Sequence, residues 1–208
     1  MSRCIIISSS PKIEIPFLLK NIRSDDFIIC ADGGYKYAEK ANITPNIIIG
    51  DFDSAEMPER INAEVMKLPT KKDDTDTFSC VKEALNRNFD EIIIFGGTGG
   101  RIDHTYANIS VLSYIRNHNA RGTLIDESNS LTIISDEEMF IEGKLGERFS
   151  IFPFGCESCV VTLSGFEYSL ERGTLYADKP IGISNVITEN IARVKIHKGS
   201  AVIIFSKE

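Results

Sequence analysis

Short aliphatic runs alternate with helical patterns in the first 120 residues. Apolar runs bounded by turn residues are typical of buried strands in a parallel sheet. The predicted strands are Cys4–Ile7, Phe27–Ala31, Ile47–Ile49 and Ile92–Phe95. Apolar residues recur at helical spacing from Thr77 to Asn88 and from Tyr106 to His118, which predicts two amphipathic helices. This alternation indicates an α/β domain with a mostly parallel sheet in a three-layer arrangement.

Further along, the pattern becomes all-β, with glycine-containing turns such as Glu142-Gly143-Lys144 and Arg172-Gly173-Thr174. The predicted strands are Leu131–Ser135, Arg148–Pro153, Val160–Ser164, Thr174–Tyr176 and Ala201–Phe205. We therefore expect two domains, an α/β domain over residues 1–120 and a small sandwich-like β domain over residues 121–208. A cleft between the domains or between subunits is the expected ligand site.

Composition narrows the class of protein. The 208 residues are 42% hydrophobic, which suits a chain with a real core, and the formal net charge is −7. An acidic chain is poorly suited to neutralising nucleic acid or an anionic membrane, so a small-molecule substrate is expected. No apolar run approaches the ~18 residues that span a bilayer, and Cys4–Ile7 is too short for a signal peptide. We expect a cytoplasmic protein.

Five scattered cysteines predict no disulfide framework. The spaced pair Cys156 and Cys159 could be half of a zinc site or a redox pair. A zinc site needs a second pair of ligands. A redox motif lies at a strand-to-helix junction, whereas the residues around Cys156 and Cys159 are predicted to form strands. Two ordinary cysteines are the favoured interpretation.

Two aspartates follow the predicted strand Ile47–Ile49. Asp51 and Asp53 occupy alternate positions, so an extended backbone would direct both carboxylates the same way. Ligands of open parallel sheets bind at the carboxyl ends of strands. Carboxylate oxygens suit Mg²⁺, which shares its remaining positions with phosphates and water. An isolated Asp-x-Asp is also typical of a turn in which Asp53 or Ser54 caps the next element, but the neighbouring clusters favour the metal interpretation.

A second acidic cluster precedes the first predicted helix. Asp74 or Thr75 can cap that helix, so part of the acidity has a purely structural explanation. Lys72, directly before Asp73, is not explained in this way, because a cation gains nothing at a helix N-terminus. A lysine that meets phosphate oxygens beside a metal-binding aspartate accounts for both signs of charge.

A glycine-rich segment, residues 96–100, follows the predicted strand Ile92–Phe95. Glycines let the backbone approach an anion, and Arg101 can contact a phosphate through two nitrogens. The segment matches neither the P-loop pattern nor the dinucleotide fingerprint. The glycines alone fit a ligand-free turn equally well, but Arg101 with Asp103 and His104 at the start of the next helix favours phosphate binding.

Taken together, five motifs resemble the thiamin pyrophosphokinase (thiamin diphosphokinase) family along nearly the whole chain. They are Ala31-Asp32-Gly33-Gly34, Gly50-Asp51-Phe52-Asp53-Ser54, Lys72-Asp73-x-Thr75-Asp76, Gly99-Gly100-Arg101-x-Asp103-His104 and Gly182-Ile183-Ser184-Asn185. The combination is far more specific than any one motif. The chain departs from the family after the first strand, where it has Ser8-Ser9-Ser10-Pro11 in place of the common glycine.

The resemblance implies roles for individual residues. The implied Mg²⁺ ligands are Asp51, Asp53 and Asp76. The implied catalytic set is Asp51, Asp53, Asp73, Asp76, Arg101 and Asp103. The implied ATP-binding set is Asp32, Gly33, Lys72, Thr98, Arg101 and His104. Thiamin would be bound by Ser184 and Asn185, a pair that without the resemblance reads as an ordinary turn. In the family this turn reaches the other protomer, so a homodimer with composite sites is implied.

The implied reaction transfers a diphosphate group from ATP to the hydroxyl of thiamin and gives thiamin diphosphate and AMP. Such chemistry depends on alignment and charge stabilisation more than on a strong base. The sequence does not decide whether Asp76 or Asp103 accepts the hydroxyl proton, and His104 fits an orienting role better than that of the base. The alternatives are a diphosphokinase for another hydroxymethyl heterocycle, such as a pterin, and a non-catalytic nucleotide-binding protein.

Overall fold

The computed structural model describes residues 2–9, 13–52, 62–69 and 73–207. Contacts along the chain divide it into two compact units, Met1–Glu127 and Ser128–Glu208. The strand Arg121–Ile125 pairs in parallel with Glu91–Phe95 and belongs to the first unit. The division between the units therefore lies one strand after residue 120, where the sequence pattern changes.

The first unit is built on a parallel sheet. Its described residues form six strands: β1 (Arg3–Ile7), β2 (Phe27–Ala31), β3 (Ile47–Gly50), β4 (Glu64–Lys67), β5 (Glu91–Phe95) and β6 (Arg121–Ile125). Their order is β6-β5-β1-β2-β3-β4, and every neighbouring pair is parallel. The four strands predicted from the sequence are confirmed. The central strands are aliphatic and buried along most of their length, as expected of a sheet covered on both faces.

Four helices connect these strands within the described residues. They are α1 (Ile15–Asn21), α2 (Tyr35–Lys40), α3 (Asp76–Asn86) and α4 (Ile102–Asn117). A short 3₁₀ turn, Asp32–Gly34, precedes α2. The predicted helices correspond to α3 and α4, although α4 begins four residues before the predicted Tyr106. Helix α1 is short and starts with Pro16 in its first turn, a position at which the missing N–H of proline costs nothing.

An ion pair fastens the beginning of the first unit. Arg3 donates from Nε and Nη2 to the two carboxylate oxygens of Asp26, each at 2.6 Å. The Asp26 carboxylate also accepts the backbone N–H of Arg23 at 2.6 Å, and its side chain is 1% exposed. Burial by itself would raise the pKa of Asp26, but the hydrogen bonds from Arg3 and Arg23 outweigh it and lower the pKa. The pair joins the start of β1 to the turn that precedes β2.

We expect Asp26→Asn to lower the free energy of unfolding by about 2 kcal/mol at pH 7, because Arg3 loses its charged partner. Since the folded-state pKa of Asp26 is lowered, its contribution is complete above the ordinary aspartate pKa of about 3.9 and is lost as the pH falls through the folded value. Denaturant unfolding at pH 7 and at decreasing pH measures both effects. The exposed neighbour Asp25 is the control, and equal losses in Asp25→Asn and Asp26→Asn would contradict the assignment.

The second unit is all-β, as predicted. Its described strands are β7 (Asn129–Ser135), β8 (Glu138–Glu142), β9 (Arg148–Pro153), β10 (Ser158–Ser164), β11 (Leu170–Tyr176), β12 (Asn185–Val186), β13 (Ile191–Lys198) and β14 (Ser200–Ser206). One set runs in the order β12-β9-β14-β7 and the other in the order β11-β10-β13-β8, with antiparallel pairing in each. One apolar cluster draws residues from both sets, which makes the unit sandwich-like. Phe149 lies at its centre, with ring centroids 4.5 Å from Phe166 and 5.7 Å from Phe205.

Of the two predicted glycine turns, one is confirmed and one is wrong. Glu142-Gly143-Lys144 lies between β8 and β9, with Gly143 at φ 71°. Arg172-Gly173-Thr174 lies inside β11, where the pairing with β10 shifts register between Val161 and Leu163. A Cβ atom on Gly173 would lie 2.4 Å from Leu170 Cδ1. Gly173 therefore packs closely against the Leu170 side chain at a bulge and does not reverse the chain.

All five cysteines are free thiols. Cys156 is half-buried, with Sγ 3.3 Å from the carbonyl oxygen of Ser200. Cys159 is buried, and burial, followed by the nearby Cys156, raises its pKa to about 11. No helix in the described parts of the chain has both the length and the apolar character to cross a membrane.

Candidate active site

The site forms where the carboxyl ends of β1, β2 and β3 meet. A Cβ atom on Gly34 would lie 2.0 Å from the carbonyl oxygen of Ile7, and one on Gly50 would lie 2.9 Å from Cα of Asp32. Both distances are far below a normal contact, so only glycine lets these backbones approach so closely. The packing brings the segments after three neighbouring parallel strands to one edge of the sheet.

Two of the predicted acidic residues, Asp32 and Asp51, follow neighbouring strands at this edge. Asp32 is buried, with φ 41°, an uncommon conformation for a residue with a side chain. A Cβ atom on Gly50 would lie 3.1 Å from Asp32 Oδ1, and Asp51 follows Gly50 directly. Asp51 is half-buried. Asp32 and Asp51 therefore follow two adjacent strands at the edge where parallel α/β sheets bind ligands.

A cavity of about 440 Å³ opens beside this edge. Its lining consists of Ser8, Ser9, Ala31, Thr75, Asp76, Thr77, Gly96, Gly97, Gly99, Gly100, Arg101, His104 and Asn108. Three predicted site residues, Asp76, Arg101 and His104, are thus brought together. The other described members of the predicted α/β site lie outside the lining: Asp32, Gly33, Asp51, Asp73, Thr98 and Asp103.

The N-terminus of α3 forms one wall. Thr75 caps the helix, because its hydroxyl accepts the backbone N–H of Phe78 at 3.2 Å. This confirms one of the two predicted caps, while Asp74 forms an ion pair with Lys82. Asp76 is the first residue of the helix, where a negative charge is favourable. Thr77 is buried and hydrogen-bonded to the hydroxyl of Ser8, which ties α3 to the end of β1.

The glycine-rich segment also lines the cavity. Gly96, Gly99 and Gly100 have φ of 68°, 77° and 82°, values that other residues adopt only with strain. Gly97 is buried, and its carbonyl oxygen accepts the side-chain N–H of Asn108 at 2.8 Å. Gly99 and Gly100 are the exposed part of the segment.

Arg101 and Asp103 form an ion pair at the beginning of α4. Arg101 Nη2 lies 2.5 Å from one oxygen of Asp103 and Nε lies 3.1 Å from the other. The hydrogen bond from Arg101 lowers the pKa of Asp103, and the same bond raises the pKa of Arg101. The side chains are 75% and 61% exposed, so the pair is weak. A phosphate can therefore replace Asp103 as the partner of Arg101 at little cost.

In the second unit, the predicted thiamin residues have different environments. Ser184 is exposed, with φ 59°, and its backbone N–H donates to the hydroxyl of Ser150 at 3.1 Å. Asn185 is buried, and its Oδ1 accepts the backbone N–H groups of Tyr168 at 3.0 Å and Val186 at 2.9 Å. Its Nδ2 donates to the carbonyl oxygen of Tyr168 at 2.8 Å. The amide of Asn185 thus holds the backbone of Tyr168 from both sides.

A second cavity, of about 160 Å³, lies beside this turn and includes Asn185 and Gly182 in its lining. A Cβ atom on Gly182 would lie 2.0 Å from the carbonyl oxygen of Ile151, which makes glycine necessary there. Tyr168 and Ile181 line the same cavity and are each 69% exposed. The pocket combines aliphatic walls with an exposed phenol ring, a surface that suits a flat heterocycle.

Comparison with known proteins decides the family. Residues 18–124 match the model of the thiamin pyrophosphokinase catalytic domain, and residues 131–203 match the model of the thiamin pyrophosphokinase vitamin B1 binding domain. The chain belongs to the thiamin pyrophosphokinase family. The resemblance drawn from the five motifs is thereby confirmed.

Individual relatives agree with this membership. A thiamine pyrophosphokinase of Bacillus subtilis is 31% identical over 209 residues, covering 98% of each chain. The crystal structure of thiamine pyrophosphokinase from Bacillus subtilis superposes with a TM-score of 0.90 at 29% identity, covering all of both chains. Thiamin pyrophosphokinase from Candida albicans has a TM-score of 0.82 at 16% identity, which shows the same fold at low sequence similarity.

Two predicted site residues of this family member, Asp53 and Lys72, lie outside the described residues. Among the residues that the structure does describe, no group of three or more His, Cys, Asp or Glu side chains could hold a metal ion. The predicted set of Asp51, Asp53 and Asp76 includes one of the residues outside that range and stays a prediction. The donor type fits the ion, because carboxylates are the ligands that Mg²⁺ prefers in proteins.

Sequence reasoning missed several polar residues at the two cavities. Ser8, Thr77 and Asn108 line the larger cavity, and Tyr168 lines the smaller one. One signal was available in the sequence, since Asn108 is a polar residue on the apolar face of α4, beside Val111 and Leu112. A buried asparagine needs partners, and here its partner is the glycine-rich segment.

Proposed function

We propose that this chain is a thiamin diphosphokinase, which transfers a diphosphate group from ATP to the hydroxyl of thiamin and gives thiamin diphosphate and AMP. The observation that carries the proposal is that one chain matches both the catalytic domain and the vitamin B1 binding domain of the family. A phosphate-handling unit and a thiamin-handling unit are the two parts that this reaction needs.

The larger cavity is proposed as the triphosphate site. Arg101 provides a guanidinium that a weak, exposed ion pair with Asp103 leaves available for exchange. Gly99 and Gly100 are exposed, so their backbone can approach phosphate oxygens without steric hindrance from a Cβ atom. Lys72 is proposed to add a second positive charge, and Asp32, Gly33 and His104 to complete the nucleotide site. Thr98, whose hydroxyl donates to Asp126, is proposed to support that site from within the glycine-rich segment.

Mg²⁺ is proposed to be held by Asp51, Asp53 and Asp76, with Asp73 and Asp103 nearby. Asp76 lines the cavity, and Asp51 follows Gly50, the residue that lies against Asp32 at the sheet edge. When bound, the ion would neutralise charge on the phosphate oxygens. The protein's own residues align the thiamin hydroxyl with the β-phosphorus and stabilise the charge that spreads over the transferred group, through Arg101, Lys72 and the glycine amides.

Thiamin is proposed to bind at the turn that contains Ser184 and Asn185. The hydroxyl of Ser184 is exposed, while the bonds from Asn185 to Tyr168 suit a residue that shapes the pocket. We propose that the enzyme is a cytoplasmic homodimer in which this turn serves the α/β unit of the partner. A three-layer arrangement of the α/β unit is part of the same proposal and is supported by β1, β2 and β3, in which consecutive side chains on both faces of the sheet are buried.

Incubation with ATP, Mg²⁺ and thiamin, followed by identification of the products, tests the function. We expect AMP and thiamin diphosphate in equal amounts. Formation of ADP and thiamin monophosphate would contradict transfer of an intact diphosphate. Replacing thiamin by a hydroxymethyl pterin tests the alternative acceptor, which the match to a vitamin B1 binding domain does not favour. Tight ATP binding without AMP formation for any acceptor would indicate the non-catalytic alternative.

We expect Asp76→Asn to lower kcat by about 100-fold or more, because a carboxylate at the phosphate site is lost. Its stability should change by only about 0.5 kcal/mol, the value of one charge at a helix N-terminus. Steady-state kinetics and thermal unfolding measure the two effects. Asp74→Asn is the matched control, since Asp74 lies two residues away and its partner is Lys82. Equal losses of turnover in both variants would contradict the role of Asp76.

We expect Ser184→Ala to raise KM for thiamin about fivefold or more and to leave KM for ATP within about twofold, because the variant loses one exposed hydroxyl beside the thiamin pocket. Ser164→Ala, at an exposed serine of β10, is the control. Kinetics with each substrate varied in turn measure the difference. An equal rise in both constants would argue against a thiamin contact at Ser184.

A further inference from the structure

Side chains with no direct part in the proposed reaction hold the glycine-rich segment in place. The first part of the segment, at Gly97, is packed against other elements, and the second part, Gly99 and Gly100, is exposed. A Cβ atom on Gly97 would lie 2.3 Å from Leu124 Cδ1 of β6 and 3.2 Å from Asn108 Nδ2 of α4. Gly97 is therefore enclosed between two elements, whereas Gly99 and Gly100 face solvent.

The residue at the boundary between these halves is Thr98. Its hydroxyl donates to Oδ2 of Asp126 at 2.6 Å. Asp126 follows β6 directly and is half-buried. A hydroxyl-to-carboxylate bond of this length is charge-assisted and stronger than a neutral hydrogen bond. The segment after β5 is thus tied to the carboxyl end of the neighbouring strand β6.

We propose that Asp126 is a positioning residue for diphosphate transfer, which acts through Thr98 to hold the amides of Gly99 and Gly100 in the geometry that receives the nucleotide phosphates. The inference rests on the proposed function for the identity of the ligand. Each of these glycines has a left-handed backbone, a conformation that a free glycine gives up readily. Preorganised donors stabilise developing charge better than donors that must be ordered during the reaction.

The geometry also separates two roles that a threonine could have. If Thr98 bound phosphate directly, the Asp126 carboxylate would be unfavourable, because its negative charge lies 2.6 Å from the Thr98 hydroxyl and repels a second anion. If Thr98 instead positions the glycine-rich segment, the Asp126 carboxylate is required as the acceptor of its hydrogen bond. The two residues should therefore behave as one unit when both are changed.

The experiment compares Thr98→Val, Asp126→Ala and the double variant by steady-state kinetics, with ATP and thiamin varied in turn. Because a charge-assisted hydrogen bond is lost, we expect each single variant to raise KM for ATP about tenfold, with KM for thiamin within about twofold. The double variant should be no worse than either single variant. Thr98→Ser keeps the hydroxyl and should restore most of the affinity for ATP.

Calorimetric titration with ATP and Mg²⁺ in the absence of thiamin gives a readout that needs no turnover. The same loss of affinity is expected there in Thr98→Val and Asp126→Ala, with melting temperatures that show both variants to be folded. The proposal is overturned if Thr98→Val and Thr98→Ser are equally affected, if KM for thiamin rises as much as that for ATP, or if the single effects multiply. A wild-type protein that forms no AMP with thiamin would overturn the proposed function instead, while the titration would still test the role of Asp126.

Discussion

Close approach of backbones at one edge of the parallel sheet is the constraint on which the site depends. Gly34 lies against the carbonyl oxygen of Ile7, and Gly50 lies against Cα of Asp32. Any side chain at these glycines would push the ends of β1, β2 and β3 apart. The segments after β2 and β3, which carry Asp32 and Asp51, would then separate. The glycines thus contribute to the proposed site indirectly, through the distances between strands.

The charges at the proposed phosphate site would allow a phosphate to replace Asp103 as the partner of Arg101. The chain carries a formal charge of −7, and an acidic surface repels a triphosphate unless local cations compensate. Arg101 is held near the cavity by Asp103, yet both groups are largely exposed. An ion pair in solvent contributes little to stability, so a phosphate with more negative charge can take its place. By contrast, the buried pair of Arg3 and Asp26 has no such freedom and serves the fold alone.

In the second unit, one residue of the predicted thiamin motif supports the backbone and its neighbour is exposed. The side-chain amide of Asn185 forms three hydrogen bonds with neighbouring backbone groups. Ser184, next to it, has an exposed side chain and a left-handed backbone. The two residues belong to one motif, but their surroundings suit different tasks: Asn185 shapes the loop of Tyr168, and Ser184 is accessible to a ligand. A motif read from sequence gives both residues the same role.

The sequence by itself determined the parallel order of elements, the all-β second half and the family, because apolar periodicity and the five motifs are local properties of the chain. It also located the glycine-rich segment and limited the cap of α3 to Asp74 or Thr75. It did not reveal β13, although Ile191–Lys198 alternates polar and apolar residues. It also placed a turn at Gly173, which lies inside β11 beside a shift of register. Only the tertiary structure decided which polar residues meet. The contacts of Thr98 with Asp126, of Asn108 with Gly97 and of Ser8 with Thr77 join residues 28, 11 and 69 positions apart. Such pairs are fixed by strand order and packing, which no local pattern encodes.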